Sequence, residues 1–179
     1  MKTIQVPVEE QVSADTQVIF DQLTKRIGRV PNLYATIGHS ALALKGFLEF
    51  EATLNKGPFS GKEREAIALV VSQVNGCNYC LAAHTLSAIK HGFSKEDTLA
   101  IRRGEVADPK LQAILHLAKS IAEKKGHADQ TTLDNFFAAG FNEAGVMELI
   151  GLVTVRVFTN YVYALTDIPV DFPEADPLT

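Results

Sequence analysis

Apolar residues recur three and four positions apart through most of the chain, the spacing that gathers side chains on one face of an α-helix. Six of the seven prolines lie before residue 60 or after residue 168. Proline removes a helical hydrogen bond, so residues 60–167, interrupted by Pro109 alone, are expected to be helical. At the front, Ile4, Val6 and Val8 alternate as in a strand, but Pro7 and the short run predict an extended arm. Ser13 then caps a helix presenting Phe20, Leu23 and Ile27, which Gly28 closes, and a loop follows at Arg29-Val30-Pro31-Asn32. Ser40 opens a second helix with Leu44, Phe47, Leu48 and Leu54, and Asn55-Lys56-Gly57-Pro58 stops it.

Ser60-Gly61-Lys62-Glu63 fits a capping box for a helix striped with Ala66, Ile67, Val70, Val71 and Val74, broken at Asn75-Gly76. The pattern resumes at Cys77 with Leu81, Ala88 and Ile89 and ends at His91-Gly92. Ser94 to Asp97 opens a short helix that Gly104 ends, and Asp108-Pro109 opens a longer one running to Gly126. Asp129 is the expected cap for Leu133 to Ala139. A last helix from Asn142-Glu143 is apolar on nearly all sides through Val146, Leu149, Ile150, Val153, Val157, Phe158 and Leu165, so it is expected centrally or in a subunit contact. The reading is an all-α fold in a single domain over 1–179, with no repeat or linker and an extended tail from Asp171.

Composition narrows the function. The 46% hydrophobic and 21% charged content describes a globular chain, with a core of ordinary size for its length. A net charge of -4 without a basic track argues against nucleic acid. Met1 to Pro7 lacks the apolar run of a secretory signal, and Val146 to Leu165 carries Glu148, Arg156 and Asn160, which argues against a membrane span. A cytoplasmic protein is expected. Both cysteines fall within four positions, which in a reducing compartment points to chemistry rather than a structural framework.

Two cysteines three apart on a helix share a face and can meet, and the first turn of a helix favours a thiolate. His84 lies one turn beyond Cys80 on that face, where an imidazole can exchange a proton with the sulfur. Metal is disfavoured, because Cys77 and His84 are about 10 Å apart along a helix axis and one helix cannot wrap them around one ion. Leu81 stands where covalent haem attachment needs a histidine. A thioredoxin-type reading needs a strand before the motif, and the flank here is helical. Without a nucleotide-binding glycine motif, no cofactor is called for and electrons must come from outside.

Glu65, eleven residues and then Cys77-Asn78-Tyr79-Cys80-Leu81-Ala82-Ala83-His84, set across a helix, a glycine break and a second helix, resembles the alkylhydroperoxidase D-like branch of the carboxymuconolactone decarboxylase family. The resemblance is strongest over residues 47–104. Arg156-Val157-Phe158-Thr159-Asn160-Tyr161 followed by Asp171-Phe172-Pro173 is similar to the longer peroxidase-related subfamily. The resemblance implies an all-α fold, symmetric homo-oligomers (dimer, trimer or hexamer) and thiol-dependent reduction of hydroperoxides with disulfide formation between the cysteines. Carried over by position, Cys80 attacks the peroxide, Cys77 is the resolving and more exposed sulfur, and His84 with Glu65 forms a proton relay. Tyr79 stands where members with the best-defined relay have histidine, and a phenol is a poor base near pH 7. The family's decarboxylase members lack the cysteine pair.

The function expected is thus an antioxidant oxidoreductase, a thiol peroxidase or disulfide reductase, served by a lipoyl protein or thioredoxin-like dithiol. The alternative is a redox-sensing or assembly module whose cysteine pair switches an oligomer.

Overall fold

The structure, a computed structural model, describes residues 3–178. Among these residues the regular structure is a short 3-10 turn, Glu9–Gln11, and nine α-helices, with no strand. Helices α1 (Ala14–Ile27), α2 (Asn32–Ile37) and α3 (Ala41–Leu54) form the N-terminal third; α4 (Gly61–Val74), α5 (Asn78–Lys90) and α6 (Lys95–Arg103) follow; α7 (Pro109–Glu123), α8 (Gln130–Ala138) and α9 (Glu143–Thr166) complete the bundle.

The caps read from the sequence do the work expected of them. Ser13, Ser40, Ser60 and Ser94 each accept a hydrogen bond from a backbone N–H of the first turn, with reciprocal boxes at Ser60/Glu63 and Ser94/Asp97. Asp108 accepts from the amides of Lys110 and Leu111 ahead of Pro109. Three expectations are corrected. The loop read over residues 29–32 ends at Pro31, the N-cap of the six-residue α2, a helix not read from the sequence. Helix α7 ends at Glu123 rather than Gly126, since Lys125 and Gly126 both take left-handed backbone (φ 52° and 93°). Helix α8 starts at Gln130 rather than Leu133, and Asp129 does not cap it with its side chain; that carboxylate instead meets Lys124 and Ser120.

The most enclosed helix is α4. Ala66 through Ser72 are buried without interruption, so this helix is covered all round, and α5, α6, α7 and α9 pack against it. Of the two positions expected for α9, the centre or a subunit contact, the first is met on one face only. Leu149, Leu152, Val153 and Val155 are buried, whereas Met147, Ile150, Phe158, Tyr161 and Leu165 point outward. By length and mean hydropathy (1.3) α9 passes for a membrane span, but 44% of its most apolar window is buried in the bundle. Two of its polar residues have partners here: Arg156 meets Glu51 of α3, and Asn160 links Ser72 and Asn75 at the end of α4.

Two apolar clusters divide the interior. One joins α4, α7 and α9 through Ile67, Val71, Ile114, Leu149 and Leu152. The other holds Leu23, Leu33, Leu44, Phe47, Val155 and Ile168, and both cysteines lie in it. The first three helices and the C-terminal segment therefore wall in the motif.

Candidate active site

The site begins with the turn that ends α4. Gly76 takes left-handed backbone (φ 63°), a conformation that costs glycine little, and the amide of Cys77 donates back to the carbonyl of Ser72. Chain direction reverses within three residues, so α5 folds back along α4. Cys77 is the N-cap of α5, and its sulfur accepts from the amide of Cys80 at 3.3 Å. The two cysteines are joined as a disulfide with Cα atoms 5.3 Å apart, inside the range that bridges require.

This hairpin brings Glu65 of α4 to His84 of α5. Glu65 Oε2 lies 2.8 Å from His84 Nδ1, and both side chains are only 17% exposed. Burial alone would raise the Glu65 pKa. The charge and hydrogen bond of His84, with Arg156 and Ser87, outweigh it and hold the carboxyl at about 2. An ionised Glu65 engages Nδ1 of His84 and leaves Nε2 as the nitrogen for proton exchange.

A pocket of about 410 Å³ opens beside this pair, and Cys80, His84, Glu65, Tyr79 and Phe172 are among its lining residues. Cys80 reaches it; Cys77 is not among the residues that line it. The expectation that Cys77 is the more exposed sulfur is corrected: the two are 1% and 2% exposed. As the N-cap, Cys77 is tucked into the same apolar cluster as Leu33 and Ile168.

Tyr79 is placed differently from a relay residue. Its hydroxyl donates to Asp171 Oδ1 at 2.6 Å and accepts from the amide of Leu33 at 3.1 Å. Burial, followed by that bond to Asp171, pushes its pKa well above the ordinary value of 10.0. Proton exchange near neutrality is closed to it.

Sequence reading missed several polar residues of the pocket. Arg156 is buried and ion-paired with Glu51 at 2.6 Å, and Tyr34 lies with them; burial, then the Glu51 charge, raises its pKa. A lone arginine in an otherwise apolar helix was the available signal for Arg156, since such a charge must find a partner. Glu51 and Tyr34 carry no local signal. Among the described residues, no three His, Cys, Asp or Glu side chains gather closely enough to hold a metal ion.

Residues 41–124 match the sequence profile of the Carboxymuconolactone decarboxylase family, a region that encloses the motif core. No protein of curated function matches the chain in sequence. Several solved structures share its fold. A peroxidase-related protein of Ralstonia eutropha, described as an alkylhydroperoxidase AhpD core, superposes with a TM-score of 0.82 at 17% identity, over 96% of this chain and 94% of that one. A peroxidase-related protein of Silicibacter gives 0.79 at 21% identity, over 97% and 93%. The debrominase Bmp8, as a cysteine-to-alanine variant in complex with 2,3,4-tribromopyrrole, gives 0.79 at 18% identity, over 96% and 93%. At such identities the likeness establishes the all-α fold expected from the sequence and leaves the chemistry to the site.

Proposed function

We propose that this chain, built around a carboxymuconolactone decarboxylase family region at residues 41–124, is a single-domain cysteine-based oxidoreductase that reduces hydroperoxides through Cys77 and Cys80. The observation that carries the reading is the junction of a part-buried Glu65–His84 pair and Cys80 on the wall of one pocket. In the reduced enzyme His84 takes the proton of the Cys80 thiol. The thiolate attacks the distal peroxide oxygen and the O–O bond breaks. The departing alkoxide takes the proton back from His84, leaving an alcohol and a sulfenic acid on Cys80. The Cys77 thiol then displaces hydroxide from that sulfur, giving the disulfide and water. An external dithiol returns two electrons and two protons by thiol–disulfide exchange.

His84 and Glu65 act as general acid–base and its orienting anion, and Tyr79 holds the backbone around the cysteines. Debromination, the activity named for Bmp8, supplies a rival substrate class for the same thiol chemistry. The deciding measurement is turnover: with excess dithiol, the protein should consume many equivalents of an organic hydroperoxide per chain. Consumption of one equivalent, followed by a stop, identifies a redox sensor. Bromide release from a bromopyrrole with no peroxide consumption assigns the pocket to dehalogenation.

A further inference from the structure

The sulfurs are sealed by a segment that the peroxide chemistry does not use. Beyond α9, Asp167 turns the chain with left-handed backbone (φ 47°), Ile168 is buried, and residues 168–172 run without regular structure past the start of α5. The segment is held at one node. The carboxylate of Asp171 receives the hydroxyl of Tyr79, which sits between the cysteines (2.6 Å), the guanidinium of Arg29 (2.6 Å) and the amide of Asn32 (3.2 Å). Arg29 also donates to the carbonyl of Asp171, and the Asn32 side chain to that of Pro169. Next to the node, Phe172 stands edge-on to Tyr79 with ring centres 5.5 Å apart, lies under Arg29 and lines the pocket. On either side of the node, Val170 and then Glu174, Ala175 and Pro177 line a cavity of about 480 Å³ between the tail, α5, Arg102 and Tyr163. The polar bonds at Asp171 and the packing of Ile168, Val170 and Phe172 on the cysteine cluster together hold this stretch down.

We propose that the segment Ile168–Phe172 is a latched cover that selects the reductant of the Cys77–Cys80 disulfide. Closed, it admits small dithiols that enter the pocket and reach Cys80; unlatched at Asp171, it also admits protein dithiols. The inference rests on the redox-pair reading above. Reduction requires an attacking thiolate to form a bond to one sulfur while the S–S bond breaks and the other cysteine leaves with the electron pair. The second thiol of the dithiol then releases the mixed disulfide, so the reductant ends oxidised and both cysteines protonated. A small dithiol fits a pocket of about 410 Å³. A cysteine fixed on another protein's surface does not reach sulfurs that are 1% and 2% exposed unless the cover lifts.

The test compares two reductants on the oxidised full-length protein: dithiothreitol, and a thioredoxin kept reduced by its reductase. Rates of thiol release are taken for wild type, Asp171→Ala and Arg29→Ala. The thioredoxin rate should rise about tenfold or more in both variants, while the dithiothreitol rate changes less than about threefold. Arg29 is part-exposed and outside both apolar clusters, so its variant reads the latch even where Asp171→Ala fails to fold. A thioredoxin-to-dithiothreitol ratio unchanged in the variants overturns the cover. Failure of wild type to form a Cys77–Cys80 disulfide on mild oxidation overturns the redox-pair reading itself.

Discussion

Glu65 keeps its charge in a place where burial alone would remove it, and the consequence is measurable in stability. Its carboxyl is lowered from an ordinary 4.5 to about 2. The stabilisation is therefore fully present above pH 4.5 and is lost as pH falls through about 2. At about 1.4 kcal/mol per tenfold change in affinity for a proton, it amounts to at most about 3 kcal/mol. Glu65→Gln should flatten the loss of stability between about pH 5 and pH 2, read by chemical denaturation at each pH. In catalysis, His84→Ala should slow sulfenic acid formation at Cys80 by about a hundredfold, and Glu65→Gln by less, because the imidazole moves the proton and the carboxylate only orients it. For the sulfurs, Cys80→Ser should abolish the reaction with peroxide, while Cys77→Ser should yield one sulfenic acid per chain that a dimedone-type probe traps. The dipole of α5 favours Cys77 by about 0.3 to 1 kcal/mol; pocket access and His84 both favour Cys80. Reversed trapping would give the attacking role to Cys77. Tyr79 shows how far a single sequence reaches. The sequence showed that its phenol is a poor base where relatives have histidine, but its partners Leu33 and Asp171 are 46 and 92 residues away, so nothing local announced them.

At the scale of elements, α4 and α5 were legible because their signals are local. A capping box, an apolar stripe, Asn75-Gly76 and the cysteine at the next N-cap follow one another in sequence, and the hairpin is their direct result. The Glu65–His84 pair comes with it. The junction of α3 with α9 was not legible, since Glu51 and Arg156 are 105 residues apart. A buried arginine that loses its anion is left with an uncompensated charge, so Glu51→Ala should destabilise the fold by about 3 to 5 kcal/mol, seen as a lower denaturant midpoint. Glu51→Gln keeps a hydrogen-bond acceptor and should cost less. A loss below about 1 kcal/mol in Glu51→Ala would mean that solvent reaches Arg156.

For the whole molecule, α9 poses an assembly question. Met147, Ile150, Phe158, Tyr161 and Leu165 follow one another at three, eight, three and four residues on its outward face, with exposed Thr154 midway in the long step, and Leu165 remains 80% exposed. Leu42 and Phe50 of α3 adjoin this stripe, partly around a shallow cleft with Phe158. A stripe of this period fits a second helix of the same kind. Sedimentation equilibrium should therefore report a mass at least twice 19.5 kDa, and the double variant Ile150→Lys, Leu165→Lys should report a monomer. A wild-type monomer at micromolar concentration would leave the stripe unexplained by self-association.

By itself the sequence indicated most of the helices and their serine caps, the break at Asn75-Gly76 and the shared face of Cys77, Cys80 and His84, because each depends on neighbours within a turn, whereas Glu65 was singled out only through the family resemblance. Only the tertiary structure decided which helix lies at the centre, that Cys77 is closed off, and that Tyr79 is bound to Asp171 rather than to the relay. Those outcomes depend on groups brought together from distant parts of the chain, where burial forces each polar atom to find a partner and the composition of one segment cannot say which partner it will be.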